Sequence, residues 1–575
     1  MGIRLGIGGL KIGQGSTGIN WSSYWTTRLP YFALPATGVS LMVGQGVTIY
    51  GDALINQPIG GDLTVTYTCD IGAASGNNYT ITPVAGDIGN HSLRVVFVSN
   101  GVTREDQIIK LSVYAAVPNL NKKALMMGDS IVNSYAGVIS YGIDQAITQT
   151  VTWVGTKTTN NGAPYGSVLH EGYNGASWFS YANQDVTEFY IDGDFNVPDY
   201  FTDNSLDTPD FVCLRLGVND AYACSDNQSI YYELPTVMLD SIITDAKKII
   251  DAFLAFDANL HFIIELPTIC ENSGAGWDAQ YDQSRYIQDV YIANIHKLWV
   301  AYVEEFANGV YDSRVDVSYG AIFLDRDGGY PKTGGVHDNA VHPTTAGCLQ
   351  LATGLAMTLN KLYIEKLLRD TNTEGSWDFL DLDNLTKSGA ELIGTCSDQL
   401  GSAHQLNQAT DGIKPTWSAS EGATFVDDLM VAVFTLNQPT FIYAVIKPLS
   451  WTASRAFWDG GAGVNRGILS QNTSTPNVYA YAGAGSALSP DLTLNEWHIV
   501  RVLYNGADSL LQIDDHDPIT GNFGTANMGG IWLGSLNLLG YNAHFSMKRL
   551  IARKSADVTE VHLAFFAYLK CKYDV

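Results

Sequence analysis

Three short segments of this chain carry side chains that together can perform acyl transfer. They are Gly128-Asp129-Ser130, Gly217-Val218-Asn219-Asp220 and His342-Pro343. A serine hydroxyl acts as a nucleophile when a histidine takes its proton, and an asparagine amide can stabilise the oxyanion that forms. Each segment alone is a common turn or helix entry, but together they predict hydrolysis through a covalent acyl-serine.

Buried strands are predicted to position the first two segments. Apolar runs at residues 124–127 and 211–216 each end in a glycine, as strands do when they deliver a side chain at their carboxyl end. Helical patterns follow at residues 236–256 and 284–306, and His342 lies just before an apolar helical stretch. This alternation predicts a parallel sheet covered by helices on both faces, with the site at the carboxyl ends of its strands.

The segments, in this order, resemble the sequence blocks of the SGNH (GDSL-type) hydrolases. Ser130 corresponds to the nucleophile of that family, Asn219 to its oxyanion asparagine and His342 to its base. The stretch 170–177 is similar to the second block, and Gly175 falls at the oxyanion glycine. The resemblance covers about residues 121–368. It implies a three-layer α/β fold and a serine esterase that needs no metal or organic cofactor.

The acid of this resemblance departs from the family pattern. The family acid lies three residues before the histidine, where this chain has Asn339, and Asp338 is one residue further upstream. Three alternatives stay open: a bulge lets Asp338 reach His342, Asn339 orients the ring without a charge, or a backbone carbonyl substitutes. Asp129 and Asp220 are expected to support their loops without acting on substrate. The predicted catalytic set is Ser130, Gly175, Asn219, Asp338 and His342.

The flanking regions have β-type patterns. Short alternating pieces between residues 35 and 117 predict a small antiparallel sandwich and resemble bacterial Ig-like modules. Beyond about residue 369 alternating strands return, for example at 440–447 and 498–504, and resemble a concanavalin-like (laminin-G-like) jelly roll. The predicted domains are a Gly-rich anchoring arm (1–34), an Ig-like β-sandwich (35–117), the SGNH hydrolase (118–368) and a concanavalin-like β-sandwich of the lectin/glucanase type (369–575).

The composition of the chain indicates which classes of partner it can bind and in which compartment it is made. With 16% charged residues, 57 glycines and 31 tyrosines, the 575-residue chain suits β-rich modules of extracellular type. The net charge of -26 argues against nucleic-acid binding, because phosphates would be repelled. The seven cysteines are scattered without metal-ligand spacing, which predicts free thiols made in a reducing compartment. Neither a secretory signal nor a membrane-spanning stretch is expected.

Surface-type modules without a secretion signal resemble, as an assembly, bacteriophage fibre or tailspike proteins. This likeness implies a virion protein, made in the host cytoplasm, that removes acyl groups such as acetyl from bacterial surface polysaccharide. The implied partners are that polysaccharide, other virion proteins through the amino-terminal arm, and further copies in a homo-oligomer such as a trimer. Two alternatives stay open: an inactive SGNH-fold virion protein that binds glycans, and a carbohydrate esterase of the bacterial cell surface.

Overall fold

The structure is a computed structural model. It describes residues 38–55, 63–117, 121–147, 151–224, 234–281, 288–389, 391–401, 404–461, 466–471, 473–485, 487–536 and 541–575. The predicted amino-terminal arm at 1–34 lies outside these residues. Within them the chain is multidomain, with several separate sheets, one of them large and nearly closed, together with helices. No helix in these ranges is both long enough and apolar enough to cross a membrane.

The first part of the described chain forms two small sheets. A four-stranded sheet has the order β1-β7-β6-β3, and a three-stranded sheet the order β2-β5-β4. Burial alternates along β6, where Leu93, Val95 and Phe97 point into the core, as expected for a strand with one buried face. The strands are β1 (Val39–Met42), β2 (Val47–Tyr50), β3 (Leu63–Thr68), β4 (Ala73–Ser75), β5 (Asn78–Ile81), β6 (Gly89–Ser99) and β7 (Val102–Tyr114).

The central part alternates strands with helices. Its strands are β8 (Lys123–Gly128), β9 (Thr152–Val154), β10 (Lys157–Asn160), β11 (Ser167–Gly172), β12 (Tyr190–Ile191), β13 (Asp194–Phe195), β14 (Phe211–Arg215), β15 (His261–Glu265), β16 (Val315–Ser318), β17 (Lys332–Thr333) and β18 (Val336–His337). Its helices are α1 (Ser130–Ile147), α2 (Trp178–Asn183), α3 (Val197–Asp203), α4 (Val218–Cys224), α5 (Thr236–Phe256), α6 (Ala275–Gln280), α7 (Gln288–Phe306) and α8 (Thr345–Leu367).

The main sheet of this part has the order β10-β11-β8-β14-β15-β16, with β9 beside the first half of β8. The pairs from β11 through β16 are parallel, and only the β10–β11 pair in this path is antiparallel. Every residue of β14 and β15 is buried, which is typical of strands covered on both faces. In register, Gly128 of β8 lies between Gly172 of β11 and Arg215 of β14. The loops after these three strands therefore start level with one another.

Close helix packing places the segment that carries His342. A Cβ on Gly142 of α1 would lie 2.6 Å from the Cβ of Ala352 of α8, so the glycine lets the two helices touch. The hydroxyl of Thr344 caps α8 by accepting a hydrogen bond from the backbone N–H of Gly347 at 3.2 Å. Because α1 begins directly after β8, this packing brings the start of α8 to the carboxyl edge of the sheet.

The third part is one large, nearly closed sheet in which β19 pairs with β35. Its strands surround a separate hydrophobic core that includes Trp377, Trp458 and Phe545. The strands are β19 (Thr373–Asp378), β20 (Leu385–Ser388), β21 (Leu392–Cys396), β22 (Leu406–Asn407), β23 (Thr416–Ser418), β24 (Gly422–Phe425), β25 (Met430–Leu436), β26 (Thr440–Pro448), β27 (Arg455–Asp459), β28 (Ile468–Gln471), β29 (Asn477–Tyr481), β30 (Ala487–Asp491), β31 (His498–Tyr504), β32 (Ser509–Ile513), β33 (Ile519–Gly521), β34 (Met528–Leu533) and β35 (Phe545–Arg553).

Helix α9 (Thr559–Tyr573) follows this sheet and joins the three parts. It packs on β6 and β7, on α8 and on β31. Asn90 donates a hydrogen bond to the carbonyl of Cys571 at 2.7 Å, and Lys548 donates to the carbonyl of Tyr573 at 3.0 Å. The first part also contacts α8 directly, since the Asn360 amide bonds the backbone of Ala115 at 2.9 Å. One continuous core runs from the first part through the central part to α9.

Candidate functional site

Ser130 and His342 are in contact at the carboxyl edge of the central sheet. Ser130 is the first residue of α1, and its Oγ lies 2.9 Å from Nε2 of His342. Both side chains are half-buried. A hydroxyl bonded to an imidazole nitrogen in this way can pass its proton to that nitrogen when the oxygen attacks an acyl carbon.

A tight turn delivers Ser130 from β8 to α1. A Cβ on Gly128 would lie 2.6 Å from the side chain of Val132 and 2.7 Å from the carbonyl of Arg215, so only glycine fits at the turn. Asp129 is fully buried, and its Oδ1 accepts a hydrogen bond from the N–H of Ile131 at 2.9 Å. Burial raises the pKa of Asp129 to about 6. This carboxyl braces the start of α1.

The loop after β11 lies beside that turn. Its first amide, that of Tyr173, donates to the carbonyl of Gly128 at 2.9 Å. Asn133 of α1 donates to the side-chain oxygen of Asn174 at 3.1 Å. Gly175 has a φ of +76°, a left-handed conformation that glycine adopts at no steric cost. The loop is therefore tied both to the end of β8 and to α1.

Asn219 contacts the same loop from β14, the strand on the other side of β8. Gly217, with a φ of +121°, turns the chain sharply after β14, and Asn219 follows at the start of α4. The Nδ2 of Asn219 donates a hydrogen bond to the carbonyl of Ala176 at 2.8 Å. An asparagine amide has two N–H groups, so one stays available for an oxyanion. Ser130 and His342 thus meet beside strand ends that also supply Gly175 and Asn219.

Asp338 is not brought to His342. The carboxylate of Asp338 is exposed and accepts a hydrogen bond from the hydroxyl of Thr333 at 2.5 Å. The reason is local: β17 and β18 form a hairpin whose turn is Gly334-Gly335, and this hairpin returns Asp338 to the side of Thr333. The loop forms this hairpin and not the predicted bulge, so Asp338 does not reach the imidazole. The assignment of Asp338 as the orienting acid is therefore corrected.

Asn339 does not orient the imidazole ring either. Its Oδ1 accepts the backbone N–H groups of His342 at 2.9 Å and of Val341 at 3.2 Å, so it shapes the turn before the histidine. Within the described part of the chain, no group accepts a hydrogen bond from Nδ1 of His342. Burial lowers the pKa of His342 below its ordinary value of 6.5. Burial thus favours the neutral form of the imidazole, and no carboxylate among the described residues opposes this effect.

Two buried side chains beneath the loop were not predicted. The hydroxyl of Tyr181 lies between the ends of β8 and β11, where it contacts the carbonyl of Glu171 and accepts the N–H of Gly128 at 3.2 Å. The fully buried carboxylate of Glu171 accepts hydroxyls of Tyr173 at 2.6 Å and Tyr200 at 2.7 Å. The signal for Glu171 was a carboxylate directly before the glycine of a buried strand, whereas nothing in the sequence distinguishes Tyr181 from other core tyrosines.

A buried ion pair lies in the sheet next to the site. Arg215 at the end of β14 and Glu265 at the end of β15 are paired, with exposed fractions of 1% and 2%. In the described structure Nε and Nη1 of Arg215 have no hydrogen-bond partner. The apolar run that predicted β14 gave no sign of this pairing, because a strand pattern does not identify the neighbouring strand.

The described residues contain no cluster of three or more His, Cys, Asp or Glu side chains with the geometry of a metal site. Six cysteines are free thiols, and all of them except the partly exposed Cys69 are buried: Cys69, Cys213, Cys270, Cys348, Cys396 and Cys571. Burial raises the pKa of Cys270 to about 11 and of Cys348 to about 12, so neither thiol is ionised near neutral pH.

No protein-family model and no curated protein sequence matches the chain. Similar solved structures include a Trypanosoma rangeli sialidase in complex with sialic acid, with 12% identity and a TM-score of 0.27. That likeness covers 41% of this chain and 41% of the sialidase chain. A carbohydrate esterase family 3 protein from Talaromyces cellulolyticus has 18% identity and a TM-score of 0.28, covering 42% of this chain and 99% of the esterase. A mutant acetyl esterase with an acetate ion has 19% identity and a TM-score of 0.27, with the same coverage. At these identities and TM-scores the likenesses do not indicate the function of this chain.

Proposed function

We propose that this protein is a serine esterase of the SGNH type that removes acyl groups, most simply acetyl, from a polysaccharide. The observation that carries the proposal is the 2.9 Å contact between Ser130 Oγ and His342 Nε2. It lies where the loop of Gly175 and the amide of Asn219 meet. A nucleophile, a base and amide donors at one sheet edge are the parts that acyl transfer requires.

In the proposed reaction, His342 Nε2 takes the proton of Ser130 as Oγ attacks the ester carbonyl. The backbone N–H groups of Ser130 and Gly175 and the second N–H of Asn219 stabilise the oxyanion. Collapse expels the sugar hydroxyl, which receives the proton from His342, and water then attacks the acyl-serine with the same histidine as base. Because burial lowers the pKa of His342, its neutral form persists to lower pH than that of an exposed imidazole.

The wider proposal follows the sequence pattern. We infer an Ig-like module at 35–117, an SGNH hydrolase at 118–368 and a concanavalin-like module at 369–575, in a virion fibre or tailspike whose arm at 1–34 contacts other virion proteins. The proposed assembly is a homo-oligomer and the proposed partner is bacterial surface polysaccharide, with the bacterial cell surface as the alternative location. The two small sheets, the parallel sheet and the large nearly closed sheet support this division.

A second candidate function is glycan binding without turnover, in a virion protein that has lost its activity. The observation that favours it is the missing carboxylate: Asp338 bonds Thr333, and Asn339 bonds the backbone. In a serine protease, replacing the orienting acid by Asn lowers turnover about 10⁴-fold. A site of this kind retains its shape for a ligand while its chemistry is weakened.

Acetate release from acetylated polysaccharides and hydrolysis of p-nitrophenyl acetate test the two functions together. Ser130→Ala should abolish both reactions while leaving polysaccharide binding unchanged. Ser134→Ala is the matched control, because Ser134 is an exposed serine one turn further along α1. Wild-type activity in the Ser130→Ala variant would remove the esterase proposal. A wild type that binds acetylated polysaccharide without releasing acetate would establish the binding function.

A further inference from the structure

Two neighbouring residues of α4 form hydrogen bonds with the loop that carries Gly175. Asn219 donates a hydrogen bond to the carbonyl of Ala176 at 2.8 Å. Asp220 accepts one from the backbone N–H of Trp178 at 3.4 Å. Trp178 is the first residue of α2, where backbone amides have no acceptor within the helix. The loop is therefore held at two positions, just after Gly175.

Trp178, the second of the two bonded positions, is itself anchored in the core. The indole N–H of Trp178 donates to the hydroxyl of Tyr302 of α7 at 2.5 Å, and the ring is fully buried. A Cβ on Gly217 would lie 2.9 Å from that hydroxyl, so the glycine before Asn219 makes room for it. Asp220 is 8% exposed and lies in the first turn of α4, where it accepts the N–H of Trp178. Its carboxyl thus connects the Asn219 segment to the end of the loop that Trp178 anchors in the core.

We propose that Asp220 is a positioning residue that fixes the amide of Gly175 and the side chain of Asn219 towards the oxyanion. This inference rests on the proposed esterase function. A displacement of about 1 Å at a reacting centre can cost about 100-fold in rate, so a single hydrogen bond that sets the loop has a measurable effect on turnover. Asp220 contacts no reacting atom and acts only through the loop.

The environment of Asp220 adds a second, independent readout. The groups that face it are Asp129 after β8, Asp245 on α5 and the hydroxyl of Tyr302 on α7. Burial, with the two neighbouring carboxyls, raises the pKa of Asp220 to about 7. The folded protein therefore binds more protons than the unfolded chain between about pH 4 and pH 7, where an unfolded aspartate is ionised. This group makes the free energy of unfolding fall as pH rises through that window.

Three variants of the full chain test the inference with p-nitrophenyl acetate. Asp220→Ala removes the acceptor and should lower kcat about 10- to 100-fold with little change in KM. Asp220→Asn keeps an oxygen that accepts the N–H of Trp178, and it should retain a kcat close to the wild-type value. Asp428→Ala is the matched control, because Asp428 in the third part is also 8% exposed and accepts a backbone N–H, that of Val426, at 2.7 Å. It should leave kcat unchanged.

The thermal-unfolding midpoint supplies the second measurement. Asp220→Asn should be stabilised relative to wild type, and this gain should be larger at pH 7.5 than at pH 4.5, because the variant lacks the buried charge.

An unchanged kcat in Asp220→Ala, or a loss in Asp220→Asn as large as that in Asp220→Ala, would overturn the inference. An equal loss in Asp428→Ala would also overturn it. If Ser130→Ala abolishes activity while the Asp220 variants match wild type, the inference alone fails. An inactive wild type, or an active Ser130→Ala variant, overturns the esterase proposal and the inference with it.

Discussion

On the sheet side of the candidate site, the loops that carry Ser130, Gly175 and Asn219 are tied to neighbouring strands and to one another. On the histidine side, His342 depends on the turn shaped by Asn339 and on the packing of α8, and none of the described carboxylates bonds its ring. The difference shows that strand register places the proposed oxyanion donors, whereas the proposed base, which a loop carries, needs its own local support. We therefore expect changes on the sheet side to cost more than changes around Asp338.

After Ser130→Ala, which should abolish activity, the largest loss should come from Asn219→Ala. It removes an oxyanion donor and also releases the carbonyl of Ala176, so kcat should fall about 100- to 1,000-fold with KM nearly unchanged. Steady-state kinetics with p-nitrophenyl acetate measure both constants. An effect confined to KM would mean that Asn219 binds substrate and that the oxyanion lies elsewhere.

Tyr181→Phe should have the next largest effect, because it removes only the hydroxyl between the ends of β8 and β11. We expect a loss of about 1–3 kcal/mol in the free energy of unfolding, since buried backbone groups lose a partner. A drop in kcat should accompany it, because Ser130 follows β8 directly. Tyr200→Phe removes a buried hydroxyl that bonds the side chain of Glu171 and not the strand backbone, and it should lower stability without lowering kcat. Equal kcat losses in both variants would show that the strand-end contact has no special effect.

Asn339→Asp sharpens the comparison by adding charge on the histidine side. The variant keeps an oxygen for the backbone N–H groups of Val341 and His342, while its negative charge stabilises the imidazolium. In the wild type kcat/KM should rise with pH through the pKa of His342, which burial holds below 6.5. In the variant this inflection should move to higher pH. An unmoved inflection in the pH profile would place the group that titrates away from the 339–342 turn.

Asp338→Ala should have the smallest effect, with kcat within about twofold of wild type, the usual range for an exposed side chain. The change removes only the hydrogen bond with Thr333. A strong loss in steady-state kinetics would show that the hairpin opens in the working enzyme and brings Asp338 to His342.

Sequence patterns predicted the parts of the fold that have a regular period. The helical pattern at 236–256 corresponds to α5, and the strand patterns at 440–447 and 498–504 correspond to β26 and β31. The alternation of strand and helix patterns also predicted the parallel sheet and the contact of Ser130 with His342, because the ends of parallel strands share an edge. Their catalytic roles stay predictions.

The position of Asp338 was missed because loop geometry depends on short-range turn chemistry. The sequence did contain the relevant signal: Gly334-Gly335 between Thr333 and Val336 is a typical two-residue hairpin turn. The ion pair of Arg215 and Glu265 had no such signal, because it depends on which strands become neighbours. Side-chain partners across a parallel sheet are fixed by topology, which a single strand does not encode.

Helix α9, which packs on β6, β7, α8 and β31, has a consequence for how the protein is made. Translation proceeds from the amino end, so α9 leaves the ribosome after every element that it contacts. Each part has time to collapse on its own while synthesis proceeds at about 5–20 residues per second. Until α9 emerges, the nascent chain exposes the apolar surface that this helix later covers. The contacts that α9 makes with the three parts therefore form late, whereas the first and central parts can already meet through α8. Chaperones would meet the chain at the surface that α9 later covers.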